Sequence, residues 1–521
     1  MNEHANGRTA PPKLFGRASL AINEWLARAE PFWVSDKLCW GIVAAGGALR
    51  LIAYLGNRSL WRDEAALAMN IIERSYSGLL KPLESYQTAP LGFLMLEKTA
   101  VLALGSSEYA LRLIPLLAGI ISLLLFKQVA AQCLRPAVVP IALAFFAFSD
   151  KLIYYSSELK QYSLDVAIAL LIVLMAFRIH SQEISIARAA GFGLIGAAAV
   201  WFSHPAVFVL AGAGVCLFLY AAIKRDWKRA LLLGCAGALW LLSFKANYAF
   251  ALRSAGESGF LLRFWSDYDA FMPLQFSTAA LKWLWQSFFV TLQDPAGFAF
   301  PVIAGLALAI GCCAALVNRN AKLLLLIAPI PFALLASGLH KYPFLERLLL
   351  WVVPLIVVLI AAGINAVARK SVVIGAALAV VLLVQPMVRS IAAPPPHEDI
   401  KPALAYVRDH WQEGDAIFVQ RITRHPFHYY AARYGFEEFD LLSGGHKRRS
   451  KVEQVAENFS ARERVWALLN VFNKREIEEE QLSLGHLDGI GTRLDAYREK
   501  GVAVYLYELS KTASLPDTHQ E

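Results

Sequence analysis

Long apolar runs alternate with short polar stretches from residue 39 to residue 391. Runs that cross, or nearly cross, a hydrocarbon core of ~30 Å fall at about 39–55, 110–131, 136–149, 163–180, 189–203, 205–222, 229–247, 298–317, 322–338, 348–367 and 371–391. A further candidate, 89–104, is interrupted by Glu97 and Lys98. Whether it spans decides which side every later loop faces. If it does not cross, the loops with Lys127/Arg135, Arg178/Arg188, Lys224 to Arg229, Arg319/Lys322 and Arg369-Lys370 all face the cytoplasm with the basic N-terminus, as Lys and Arg prefer. If it crosses, all five face outward. The pattern therefore predicts eleven spans, with 89–104 an amphipathic helix on the outer surface.

The outward segments are then 56–109, 150–162, the Ser203-His204-Pro205 turn, 248–297 and 339–347, so their polar residues share one face. Residues 1–38 are polar, carry Arg8, Lys13, Arg17, Arg28 and Lys37, and read as a cytoplasmic segment rather than a cleaved signal peptide. Pro394-Pro395-Pro396 closes the membrane part (39–391) as a stiff linker. In the outward region 392–521, helical period covers 399–412, Gly414-Asp415 turns into a strand at Ala416–Val419, and further strands are expected at Val465–Val471 and Val502–Leu509. Helices are expected near 450–458 and 487–500. The predicted fold is a polytopic α-helical membrane bundle of about eleven transmembrane helices plus outer-surface amphipathic helices, followed by a small α/β domain.

Composition agrees. Of 521 residues, 57% are hydrophobic and 17% charged, where a soluble chain carries about 25% charged residues; mean hydropathy is +0.46. The net charge of +9 is not a nucleic-acid signal, because residues 397–521 hold 17 Lys and Arg against 21 Asp and Glu. The excess sits in short loops between apolar runs, where it reports topology. The six cysteines lie in or beside apolar runs without a CxxC pair and read as apolar fillers. There is no Walker A motif, no GxGxxG after a strand and no HExxH, so nucleotide and zinc-protease chemistry is not signalled.

Asp63 and Glu64, in Trp61-Arg62-Asp63-Glu64-Ala65, sit just outside the first span. One carboxylate of the pair can act as a general base toward an acceptor hydroxyl or amine, with its neighbour holding a second group or a metal. The competing reading is that the pair caps the helix beginning at Ala65. Lys160, in the outward stretch Tyr154 to Tyr162, suits a phosphate as a compact cation, with Glu158 holding it or ligating a cation. Interfacial anchoring is the plain alternative there. Arg347, at the end of His340 to Arg347, suits bidentate grip of a lipid phosphate, against ordinary snorkelling. His204 can complete a divalent-metal site with Glu158 or Glu64, though a lone histidine at a helix boundary is more often structural. In His425-Pro426-Phe427-His428 no acidic partner is near in sequence. The 248–297 segment mixes Trp265, Trp283 and Trp285 with Asp267, Asp269 and Asp294, which suits sugar stacking or a helix in the headgroup layer. His446-Lys447-Arg448-Arg449 reads as solvated surface.

Together these segments resemble the membrane-embedded C-fold glycosyltransferases of the glycosyltransferase 39 type, which include protein mannosyltransferases and, as a relative, lipid A aminoarabinose transferase. The resemblance rests on Trp61 to Ala65, Ala89-Pro90-Leu91-Gly92, Tyr109-Ala110-Leu111-Arg112-Leu113-Ile114-Pro115, Tyr154 to Tyr162, and Tyr342-Pro343 with Arg347 and Pro354. It implies transfer of a sugar from a polyprenyl-phosphate donor on the outer face of a bacterial inner membrane. Asp63 would be the base, with Glu64 beside it, and Lys160, Arg347, Tyr162 and Tyr342 would surround the lipid phosphate. The acceptor is left open among glycan, lipid and protein, as is a divalent metal at Glu158 and His204. The chain departs from the family where Glu158-Leu159-Lys160-Gln161-Tyr162 replaces a usual Glu-Ala-Arg-x-Tyr, since lysine keeps the charge but loses the guanidinium fork. A transporter or flippase of lipid-linked sugars also places charges in a membrane cavity, and a sensor would bind its ligand in the outer α/β domain.

Overall fold

The computed structural model describes residues 35–253, 258–275, 277–391, 398–436 and 463–509. Residues 1–34, the Pro394-Pro395-Pro396 linker, the basic cluster at 446–449 and the helix expected near 450–458 lie outside them. Among the described residues, eight helices are long and apolar enough to cross a membrane: Asp36–Leu55, Glu108–Cys133, Tyr162–Ser181, Ala206–Ile223, Trp227–Ala251, Ala321–Gly338, Glu346–Ala368 and Val372–Ile391. Three shorter apolar helices, Pro136–Ala147, Ile186–Phe202 and Pro301–Val317, fall where the sequence places the other three spans. Glu346–Ala368 is the central one, with almost all of Leu349 to Ile364 buried. It packs tightly on Pro301–Val317, because a Cβ on Gly363 would lie 1.9 Å from the Ala307 carbonyl and one on Gly311 1.9 Å from that of Leu359. Only glycine lets two backbones come this close, the usual device where lipid offers no hydrophobic drive for helix association.

The interrupted run 89–104 forms the 14-residue helix Leu91–Leu104. At 1.5 Å per residue it measures about 21 Å, well short of a hydrocarbon core. Its two charges do not snorkel; both are buried in protein. Lys98 Nζ donates to the carbonyls of Ile71 (2.9 Å) and Ile72 (3.0 Å), near the end of the Arg62–Glu73 helix, where backbone acceptors have no intrahelical partner. Burial pushes the Glu97 carboxyl well above its usual range, which favours its neutral form.

Among the described residues, the C-terminal part holds a four-stranded sheet in the order β1-β2-β4-β3. The strands are β1 (Ala416–Val419), β2 (Arg464–Asn470), β3 (Gly491–Glu499) and β4 (Val502–Leu509). β1 and β2 are parallel, and β2/β4 and β4/β3 are antiparallel. One expectation fails here: 487–500 is mainly strand β3, and the helix lies earlier, at Lys474–Ile490. The short spacing from Glu499 to Val502 is that of a hairpin, a signal outweighed in the sequence by the charged residues of β3. A capping box opens the helix, with Asn473 and Glu476 exchanging hydrogen bonds. One face of the sheet, with Trp466, Leu468, Val502, Val504 and Leu506, joins Leu60, Leu67, Ile71, Phe93 and Leu94 of the first outer segment in a single core. The other face packs on Leu487. The sheet domain is therefore seated on segment 56–109.

Candidate active site

The segments 56–109, 150–162, 203–205, 248–297 and 339–347 meet at one end of the bundle. Glu64 Oε1 accepts from the Leu159 amide (2.8 Å), Trp61 Nε1 donates to Glu158 Oε1 (3.1 Å), and Arg58 Nη1 donates to Ser157 Oγ (2.7 Å), so 56–109 is bonded to 150–162. Arg347 Nη2 donates to Asp63 Oδ2 (2.8 Å), bringing in 339–347. Phe344 in turn donates its amide to Ala270 O (2.7 Å), joining 248–297. His204 and Gln87 line one cavity of about 320 Å³ with Leu79, Leu83 and Phe250. Lys160 Nζ donates to Gln87 Oε1 (2.7 Å) at its edge.

The consecutive carboxylates are treated differently because a helix turns ~100° per residue. Asp63 is in the first turn of Arg62–Glu73 and keeps 28% of its side chain exposed, against Arg347 at 22%. Burial raises its pKa, but the charges of Lys160 and Arg347 outweigh this and hold it below the usual carboxylate range. It is thus ionised and reachable. Glu64 points inward with no exposure. Arg112 clasps both its oxygens, Nε to Oε1 at 2.9 Å and Nη2 to Oε2 at 2.7 Å, while Arg112 Nη1 and Nη2 also hold the carbonyls of Arg58 (2.7 Å) and Ser59 (3.2 Å). Its carboxylate braces the loop and has no open oxygen for a substrate.

Arg347 is aimed by backbone. Glu346 adopts a left-handed φ of 44°, a conformation that costs a non-glycine residue on the order of 1 kcal/mol. The guanidinium then lies 5.3 Å from the Trp61 ring centre and 5.9 Å from that of Tyr162. Gln87 is set in a similar way, following Ser85 and Tyr86 at φ 57° and 55°. Lys160 is buried, which lowers its pKa while the charge of Asp63 works in the opposite sense. Glu158, fully buried, is raised to about 7 by burial and by the neighbouring Glu64 charge, against the pull of Arg347, Arg58 and Lys160. With Glu158 protonated, Arg58, Arg112, Lys160 and Arg347 outnumber Asp63 and Glu64 by two charges. Such a charge cluster suits a phosphate.

Of the two tyrosines expected around the phosphate, Tyr342 turns away and Tyr162 stays beside Arg347. Tyr342 donates its hydroxyl to Leu348 O (2.6 Å) and packs edge-on against Phe208, so it holds the turn that carries Arg347. Tyr162 is buried and offers its ring to Arg347, with Tyr155 edge-on at 5.3 Å. Burial lowers the His204 pKa to about 4, keeping the imidazole neutral. Among the described residues, no three His, Cys, Asp or Glu side chains gather as a metal site, and the carboxylate nearest in role, Glu64, is saturated by Arg112. His425 and His428 meet the first outer segment instead, at Ser85 (2.7 Å) and Glu73 (3.9 Å).

Sequence reading assigned no role to Arg58, Arg112 or Gln87. Arg112 is signalled by its position as the third residue of the apolar span 110–131, where a charge needs a partner. Arg58 and Gln87 lie in a polar loop and carry no such mark.

No protein-family model and no curated protein sequence matches the chain. Solved structures do. ArnT from Cupriavidus metallidurans bound to undecaprenyl phosphate is similar over 89% of this chain and 97% of its own, with TM-score 0.52 and 12% identity. The apo form of ArnT gives TM-score 0.55 over 91% of this chain and 98% of that one, also at 12% identity. The Archaeoglobus fulgidus oligosaccharyltransferase in complex with Zn and sulfate gives 0.51 at 13% identity, over 89% of this chain and 72% of that one. These likenesses show that the chain shares the fold of ArnT and of the Archaeoglobus oligosaccharyltransferase.

Proposed function

We propose that the chain is a glycosyltransferase that moves a sugar from a polyprenyl-phosphate donor to an acceptor on the periplasmic face of a bacterial inner membrane. The observation that carries the reading is the Asp63–Arg347 contact at 2.8 Å beside Lys160. A partly exposed carboxylate and two cations lie together at the end of the bundle, an arrangement that would hold a lipid phosphate beside the base. The ArnT structure bound to undecaprenyl phosphate has the same fold and supports this donor class.

In the proposed reaction, an acceptor O–H or N–H attacks the anomeric carbon. The carbon–oxygen bond to phosphate breaks, its electron pair leaves with the polyprenyl phosphate, and the acceptor proton passes to Asp63. Lys160 and Arg347 stabilise the phosphate as its charge grows, in a pocket where preorganised charges act more strongly than in water. Attack and departure on opposite sides of the sugar give inversion. Glu64 and Arg112 hold the loop, and Glu158 tunes the pocket charge.

The test is transfer by the full chain in proteoliposomes, supplied with undecaprenyl-phosphate pentoses and hexoses and an envelope lipid and glycan extract. Wild type forms a glycosylated product, and Asp63→Asn does not, with binding of undecaprenyl phosphate retained. Movement of labelled lipid across the vesicle without any product would overturn the reading in favour of a flippase.

A further inference from the structure

The Arg62–Glu73 helix begins without a cap of its own. Trp61 occupies the N-cap position and makes no side-chain cap hydrogen bond, although the first amides of a helix have no partner within it. The partner comes from the C-terminal domain, more than 300 residues along the chain. Glu398 Oε2 accepts the Arg62 amide at 2.9 Å, and an anion at this end also suits the helix dipole. The Arg62 guanidinium is held by Glu398 (3.5 Å) and by Glu476. Glu476 is the capping-box residue of the Lys474–Ile490 helix, using one oxygen for its own helix and the other for Arg62. Both glutamates are almost fully buried.

The neighbouring positions are held as well. Ser59 Oγ donates to Asp399 and accepts from the Lys401 amide (3.3 Å), and the Leu60 amide donates to the Tyr430 hydroxyl (2.9 Å). Ser59, Leu60 and Arg62 are therefore fixed from the sheet domain, and the next residue is Asp63. The Arg62 charge itself acts on Asp63, so two carboxylates that occupy the guanidinium also keep it from pairing with the base.

We propose that Glu398 and Glu476 are positioning residues for Asp63, acting through Arg62, so that the C-terminal domain sets the geometry of the transfer site. This rests on Asp63 as the catalytic base. It gives the outer domain a role in the chemical step while leaving donor binding to Lys160 and Arg347.

The experiment compares wild type with Glu398→Gln/Glu476→Gln in the full chain; the amides keep an acceptor oxygen for each helix end and remove the charges that hold Arg62. The measured quantities are kcat with whichever undecaprenyl-phosphate sugar turns over, Kd for undecaprenyl phosphate, Tm, and hydrogen exchange of residues 60–66. The proposal expects kcat to fall about ten- to hundredfold, the scale of a small misplacement of a reacting group. It also expects Kd within twofold and faster exchange confined to 60–66. Arg62→Lys, which keeps a charge but loses the fork, is expected to fall less. A double variant with kcat within twofold of wild type overturns the proposal. So does a parallel loss of kcat, Kd and Tm, which would mean that the domain only braces the bundle. Wild type that turns over no donor would instead defeat the reading of Asp63 on which the proposal stands.

Discussion

The outward and inward faces of one helical turn carry Asp63 and Glu64, and the two faces have opposite characters. Asp63 pairs with Arg347 and stays partly exposed. Glu64 has no exposure and is saturated by Arg112 and the Leu159 amide. Two carboxylates that are equivalent in the sequence are thus a reagent and a brace. The contrast shows why charge near a membrane mouth is a poor guide to role by itself: what decides is whether a carboxylate oxygen is left within reach of a substrate.

The largest expected effect separates the two faces. Asp63→Asn should lower kcat by about 10²–10⁴-fold, the usual contribution of a general base, with Tm unchanged. Glu64→Ala should do the reverse and act first on the fold. It leaves the Arg112 charge buried without its partner, a loss of about 3–5 kcal/mol, read as a lower Tm and poor recovery from membranes. Replacing both, as Glu64→Leu with Arg112→Met, should recover most of that stability, because a buried ion pair is often worth little more than apolar packing of similar volume.

On the outward face, Lys160→Ala or Arg347→Ala should weaken undecaprenyl phosphate binding by roughly ten- to hundredfold, the value of a charged hydrogen bond. Glu64→Gln should leave that affinity nearly unchanged if the inward face only braces the loop. The smallest effect belongs to Glu158, whose pKa is about 7. Below that pH it is neutral and the pocket keeps its full positive excess; above it, the new negative charge offsets one cation. Donor affinity should therefore fall on the order of fivefold as pH rises through 7, and Glu158→Gln should remove the step. Because the folded-state pKa is raised, stability falls as pH rises from the ordinary carboxylate range to about 7, where the unfolded carboxyl ionises and the buried one stays neutral, and Glu158→Gln should remove that loss too.

Much of this architecture is legible in the sequence. Spans follow from apolar length and from the Lys and Arg bias of alternate loops, and the Glu97-Lys98 interruption marks the helix that is too short to cross. Asp63, Lys160 and Arg347 stand out because charges at an interface need a reason, and the structure gathers them in one place. The division between Asp63 and Glu64 is not legible, since it depends on Arg112 arriving from another helix. Nor is the turned-in hydroxyl of Tyr342, which is spent on Leu348 O. The grip of Glu398 and Glu476 on Arg62 joins residues 336 and 414 positions apart, and no local pattern encodes it. Strand β3 was hidden by its alternating charges, which belong to an exposed edge of the sheet.

The most direct measurement is a cryo-EM structure of the full chain with undecaprenyl phosphate in a lipid nanodisc. The account predicts the phosphate within hydrogen-bond reach of both Lys160 Nζ and an Arg347 nitrogen, with the Asp63 carboxylate facing it across the pocket. A phosphate bound away from these cations, or a pocket in which Asp63 faces the opposite side of the membrane, would contradict it.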